Sequence, residues 1–263
     1  MIEVNALIEE AKATKAKCYI HFRKLQLPLV IQVITDSGFK NKEDPGKPRQ
    51  GMGIRIAHDG KVPGGPGNPI LAKTFRTKRA VRSTLGAETL AQVAGFDVGS
   101  KVRIEWTCMN HDKPTTSGET SHEWLTEKLP MDTFTDCNSL WGIRQGHRLP
   151  IETNLMPDIV QLRAASDEGR VRRSYWVPTA DTCVDGLTKS MVRTALQAFM
   201  RGEWETSGEY ALAPDIATVA SLYGVWVNSE EDEGKPLPSA FFGIGFSPVR
   251  GLTDDSGMNA ISR

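Results

Sequence analysis

Asp36, Glu88, Asp136 and Asp185 stand 52, 48 and 49 residues apart, and each falls near the beginning or end of a rigid element. Acids brought together from separate elements would carry more negative charge than a protein interior tolerates. Hard divalent ions with oxygen ligands are the natural remedy. Two such ions about 4 Å apart activate a water and stabilise the leaving oxygen of a phosphodiester. Each acid also has a plainer reading when taken singly. Asp36 suits a cap for the turn at Ser37-Gly38, Glu88 suits a solvated first-turn glutamate favoured by the helix dipole, and Asp181 competes with Asp185 for the fourth place.

The elements must deliver these side chains. Residues 30–36 hold five β-branched residues in seven and read as a buried strand that ends on Asp36. Further strands are expected at 51–58 and 69–75, joined by the Gly- and Pro-rich stretch 59–68, which suggests an antiparallel meander. Ala87, Leu90, Ala91, Ala94 and Val98 share one helical face, with Ser83 or Thr84 as N-cap and Glu88 at the edge of that stripe. A fourth strand at 131–136 again ends on its acid. Asn138 is expected to cap a short helix over 139–145 that Gly146 stops. A helix containing Leu155, Ile159 and Leu162 follows, with Pro157 in its first turn, then a strand over 171–177 and a helix over about 187–200. Residues 1–28 read as a helix followed by a second helical or irregular piece, ended by Pro28. Strands first, then strands alternating with helices, imply an α/β sheet of mixed direction.

The totals narrow the class. The 263 residues suffice to bury a core, and no run approaches the roughly 18 apolar residues a membrane helix needs. With no signal pattern at the N-terminus, an intracellular chain, cytoplasmic or nuclear, is expected. Cys18, Cys108, Cys137 and Cys183 are widely spaced, which argues against a zinc site or a disulfide framework. The formal net charge is zero, but residues 201–263 hold ten acids against four bases, so the body is basic and the tail acidic. A basic body weakly favours a polyanionic partner.

Four motifs carry a resemblance. Thr35-Asp36-Ser37-Gly38-Phe39, Ser83-Thr84-Leu85-Gly86-Ala87-Glu88-Thr89-Leu90-Ala91 and Phe134-Thr135-Asp136-Cys137-Asn138-Ser139-Leu140 come in order. Tyr175-Trp176-Val177-Pro178-Thr179-Ala180-Asp181-Thr182-Cys183-Val184-Asp185-Gly186-Leu187-Thr188-Lys189 completes them. Over about residues 30–200 the chain resembles the ribonuclease H domain of copia-type retrotransposon polyproteins, in the divergent form seen in protist elements. The resemblance implies an RNase H-like α/β fold, a five-stranded mixed sheet flanked by helices, its first three strands antiparallel. It implies an endonuclease that uses two Mg²⁺ ions, with Mn²⁺ able to substitute, to cut the RNA strand of an RNA–DNA hybrid. On that mapping Asp36, Glu88, Asp136 and Asp185 are catalytic and bind metal, Glu88 also touching the substrate edge. Asp185 is preferred to Asp181 because it directly precedes the short residue and the Leu-Thr-Lys run.

Ser37, Gly38, Asn138 and Arg79 are the expected substrate contacts, Gly38 because a residue without a side chain lets backbone approach RNA closely. The implied partner is the reverse transcriptase portion of the same polyprotein. The expected domain limits are 1–29 for a helical connection, 30–204 for the RNase H-like domain and 205–263 for an acidic extension. Val184 departs from the alanine common in the family, and the loop before the last helix lacks the histidine that some cellular relatives carry there. Gly38 in place of a glutamate two residues after Asp36 separates the pattern from proofreading-type exonucleases, and the final Asp185 separates it from integrase-like sites. The competing reading from another class is a non-catalytic, decayed or host-adopted fragment that keeps the fold and binds nucleic acid or protein.

Overall fold

The computed structural model describes residues 20, 22–39, 47–60, 63–112, 122–145, 150, 152–189, 194–208 and 210–212. The sequence expectations for residues 1–19, for Cys18 and for residues 213–263 of the acidic extension lie outside these. The strands are β1 Leu29–Gly38, β2 Arg49–His58, β3 Gly67–Arg76, β4 Met131–Thr135, β5 Arg173–Trp176 and the two-residue β6 Ala211–Leu212. The helices are α1 Thr84–Asn110, α2 His122–Lys128, α3 Asn138–Arg144, α4 Met156–Asp167, α5 Asp185–Thr188 and α6 Thr194–Met200.

The sheet order is β3-β2-β1-β4-β5-β6. β1, β2 and β3 form the expected antiparallel meander, and β4 and β5 continue the sheet in parallel from β1. β6 adds a short antiparallel edge on β5, beyond residue 204. The result is the α/β five-stranded mixed sheet with flanking helices that the sequence implied, extended by this one short strand.

β1 is buried along nearly its whole length because both faces of the sheet are covered, which explains a run of β-branched residues without polar alternation. Ile31 and Val33 face a core completed by Ile54, Phe96, Met131, Leu140 and Leu162. Ile34 faces the opposite core, made by Phe134, Tyr175, Val184, Phe199 and Trp204. Arg55, fully buried on that second face, reaches Gln32 Oε1 at 2.8 Å and the carbonyls of Gly65 and Trp204, and it stacks 4.6 Å over the Trp204 ring. At the opposite end of the sheet from Asp36, Arg172 forks between Asp59 and the buried Asp132, so that charge is paired twice over.

α1 runs twelve residues past Val98, where the apolar stripe expected for it ends. Its buried face continues through Gly95, Gly99, Arg103 and Thr107, spaced four apart, where small and polar residues replace apolar ones. The two glycines let the helix lie directly on β1. A Cβ at Gly95 would come within 2.4 Å of Thr35 Cγ2, and one at Gly99 within 2.5 Å of Val33 Cγ2. Both neighbours are β-branched side chains held by the strand, so neither can swing away. Gly95→Ala is therefore expected to lower stability by about 1–3 kcal/mol through overpacking, although alanine is the better helix former by about 1 kcal/mol. The urea midpoint measures this.

Two other expectations are corrected. Asn138 is the first residue of α3 and not its cap, since Cys137 occupies the N-cap position, with no side-chain cap hydrogen bond. The single helix expected over 187–200 is two pieces, α5 ending where Lys189 turns to extended backbone and α6 starting at Thr194. The last expected strand is shorter, and the third slightly longer, than their sequence patterns. No helix among the described residues is long and apolar enough to cross a membrane.

Candidate metal centre

Register brings the first two acids together. β1 and β4 are parallel neighbours with Ile34 opposite Phe134, so Asp36 and Asp136 each lie two residues further along adjacent strands. Helix α1 starts beside this end of the sheet. Ser83 caps it, its hydroxyl accepting the Gly86 N–H at 3.0 Å, and Glu88 one turn later points at the strand ends. The peptide N–H of Ser37 donates to Glu88 Oε1 at 3.1 Å and fixes its rotation.

One carboxylate oxygen from each of Asp36, Glu88 and Asp136 lies within 4.8 Å of the others. Asp36 and Glu88 are buried, 2% and 4% exposed, while Asp136 is half-buried. The sequence had placed Glu88 at the edge of a buried stripe, and packing of α1 on β1 puts it fully inside.

Asp185 arrives from the other side. Gly51 is the partner of Asp36 in the β1–β2 ladder, and a Cβ there would meet Thr188 Cγ2 and the Val184 carbonyl at 3.0 Å. Its absence lets α5 settle over the strands. Thr188 Oγ1 then donates to Asp36 Oδ2, and Lys189 Nζ pairs with the buried Asp185 Oδ1. Asp185 is not among the three mutually close oxygens, but its charge acts on both Asp36 and Asp136. Asp181 turns away, its Oδ2 accepting from the Ser207 N–H and hydroxyl at 2.8 and 2.7 Å. Of the two, Asp185 is the one whose charge acts on Asp36 and Asp136.

Crowding shows in the protonation of these groups. Burial, followed by the charges of Asp36 and Asp136, pushes Glu88 up to about 9 from 4.5. Burial pushes Asp36 up to about 6, with a hydrogen bond from Thr188 opposing and Asp136 and Asp185 adding to the rise. Asp136 is also raised, by burial first, against a hydrogen bond from Thr179 and the charge of Lys189. Glu88 Oε2 is buried without a hydrogen-bond partner. Buried carboxylate oxygens this close, one of them unsatisfied, form a donor set that suits a hard divalent cation.

The expected substrate residues sit around this centre in different ways. Ser37 is buried, and its hydroxyl lies 3.4 Å from the Arg49 carbonyl. The space beside Gly38 is taken by Thr188, whose carbonyl would lie 3.4 Å from an added Cβ, so the close approach it permits is that of α5. Asn138 is exposed at the start of α3. Arg79 forks onto Asp158 of α4 at 3.1 and 2.9 Å. Thr188, Lys189 and Thr179 were not singled out from sequence as site residues. The available signal was the Asp185, Thr188, Lys189 spacing, which puts all three near one turn of helix.

Similar solved structures include the N-terminal RNase H domain of a Mycobacterium tuberculosis protein, determined as a fusion with maltose-binding protein. It is 18% identical, with 65% of this chain and 98% of that chain covered and a TM-score of 0.41. An RNase H1 isolated from compost by a metagenomic approach is 15% identical over 64% of this chain and 98% of its own, with a TM-score of 0.39. An RNase H1 from the halophilic archaeon Halobacterium salinarum is 13% identical over 60% and 92%, with a TM-score of 0.37. The fold is RNase H-like. Its sheet runs β3-β2-β1-β4-β5, with the first three strands antiparallel and β4 and β5 parallel to β1. No family model and no curated protein matches the chain. Fold alone leaves the chemistry to the site.

Proposed function

We propose that the chain is a metal-dependent endonuclease that hydrolyses the RNA strand of RNA–DNA hybrids. The observation that carries this is the convergence of Asp36, Glu88 and Asp136 within 4.8 Å at the end of a mixed sheet, with Asp185 adjoining. Asp36, Glu88, Asp136 and Asp185 are the residues that would hold two divalent ions, Mg²⁺ with Mn²⁺ as substitute. Bound there, the ions supply activation of the attacking water and charge for the leaving oxygen.

The chain's own groups hold the acids in place. The Ser37 N–H orients Glu88, Thr188 orients Asp36, and α5 brings Asp185 alongside. Asp136 is the least buried of the three close acids, which leaves it the most accessible to a substrate. The RNA strand is the expected target because a hybrid has an A-like shape and its 2′-hydroxyls are read in a shallow groove. Little sequence preference follows from recognition of that kind. The four motifs, present in order, support a place in a copia-type retrotransposon polyprotein beside its reverse transcriptase.

The test is cleavage of end-labelled duplexes in Mg²⁺. Hybrid cut in its RNA strand, with DNA duplex left intact, is the expected pattern. Hybrid bound but never cut would instead fit a non-catalytic binding domain.

A further inference from the structure

The acids of this site bring up to four negative charges together, and a cation from the chain itself already lies among them. Lys189 Nζ rests on Asp185 Oδ1, and its charge also acts on Asp36, Asp136 and Glu88. The two partners differ in access. The Asp185 side chain is 4% exposed, whereas that of Lys189 is 49% exposed, so the ammonium reaches in from solvent over a buried carboxylate. The Lys189 backbone is pinned where α5 ends, its N–H donating to the Asp185 carbonyl at 2.9 Å, so only the flexible four-carbon stem needs to move.

An oxygen that carries this ammonium cannot at the same time receive a metal ion on the same side. The exposed partner is the one free to leave. We propose that Lys189 is the resident counter-ion of the acidic group, holding Asp185 in the metal-free chain and yielding that oxygen when divalent metal enters. The inference rests on the reading of these acids as metal-holding residues and adds a positioning role that Asp36, Glu88 and Asp136 do not share. It also accounts for charge. Four carboxylates, one lysine, two divalent ions and one phosphodiester together sum to neutrality, so the lysine need only swing aside, not depart.

Removing a competing cation strengthens metal binding, whereas removing a merely structural lysine would weaken it or leave it unchanged. Titration calorimetry with Mn²⁺ at pH 8, without nucleic acid, separates these outcomes for wild type, Lys189→Met and Lys189→Arg. Lys189→Met is expected to bind about threefold to tenfold more tightly than wild type, the modest size reflecting solvent screening of a half-exposed charge. Lys189→Arg should stay close to wild type. Acylation of Lys189 in native wild-type protein, followed by mass spectrometry, gives a second readout that needs no variant. Its rate should rise severalfold on saturation with Mn²⁺.

Equal or weaker Mn²⁺ binding by a folded Lys189→Met overturns the inference while leaving the metal-holding reading intact. If that variant fails to fold, an acylation rate in wild type that does not respond to bound Mn²⁺ overturns it in the same way. A wild type that binds no Mn²⁺ at millimolar concentration removes the metal-holding reading itself, and the inference with it.

Discussion

Glu88→Gln is expected to reduce hybrid cleavage by on the order of a thousandfold and, in the absence of metal, to raise the melting temperature of the chain. The two effects have one cause. Glu88 is buried against Asp36 and Asp136, which lifts its pKa to about 9. A carboxyl raised in this way contributes stability that is complete below its unfolded value near 4.5 and is lost as pH climbs towards 9. The metal-free wild type therefore weakens across that window. Glutamine keeps the Oε1 that accepts the Ser37 N–H, and its amide replaces the unpartnered Oε2 with a donor facing two carboxylates. The gain in melting temperature should grow from about pH 5 to pH 9 and then level off. Saturating Mg²⁺ should narrow it, because the metal stabilises only the site that can hold it. Thermal melts with and without Mg²⁺, set beside cleavage rates, measure both effects.

Metal affinity itself should depend steeply on pH. With Glu88 titrating at about 9 and Asp36 at about 6, the metal-free chain at neutral pH holds a proton on Glu88 that a divalent ion has to displace. Between pH 6 and 9 the affinity for Mg²⁺ or Mn²⁺ is expected to rise about tenfold per unit, one proton being released for each binding event. Below pH 6 the slope should steepen as Asp36 also becomes protonated. Calorimetry in two buffers of different ionisation enthalpy counts the protons directly. A flat profile from pH 6 to 9 would show that Glu88 is not displaced by the metal.

These effects hinge on features that the sequence displays unevenly. The strand ends were legible, because the β-branched run closing on Asp36 and the short strand closing on Asp136 are local patterns. The meeting of those ends was not, since it depends on the parallel pairing of β1 with β4, a contact 100 residues apart in the chain. Helix α1 outruns its apolar stripe for a physical reason. Apolar periodicity marks a helix only while its buried face is apolar, and here Gly95, Gly99, Arg103 and Thr107 carry that face onward. Arg103 is accommodated there by donating to the Arg170 carbonyl at 2.9 Å. β6 is two residues long and pairs only at its register with β5, so no pattern announces it.

Within the site, residue type pointed to the four acids, whereas their supports came from packing. Gly51 leaves room for α5, and that allows Thr188 to reach Asp36. Arg79 shows the reverse case. It was expected to touch the substrate, yet its guanidinium lies on Asp158, a residue 79 positions away whose proximity no local pattern contains.

Metal-dependent cleavage of the RNA strand of a hybrid is the activity proposed for the converging carboxylates. Its most direct measurement is Mg²⁺-dependent cleavage of an RNA-labelled RNA–DNA hybrid by wild type and by Asp136→Asn at matched concentrations. Asp136 is half-buried and follows β4, so the exchange of one oxygen for an amide leaves the sheet intact. Cleavage by wild type that requires Mg²⁺ and falls by on the order of a thousandfold in the folded Asp136→Asn protein is the result expected. Equal cleavage by the two proteins, or none by either, would contradict it.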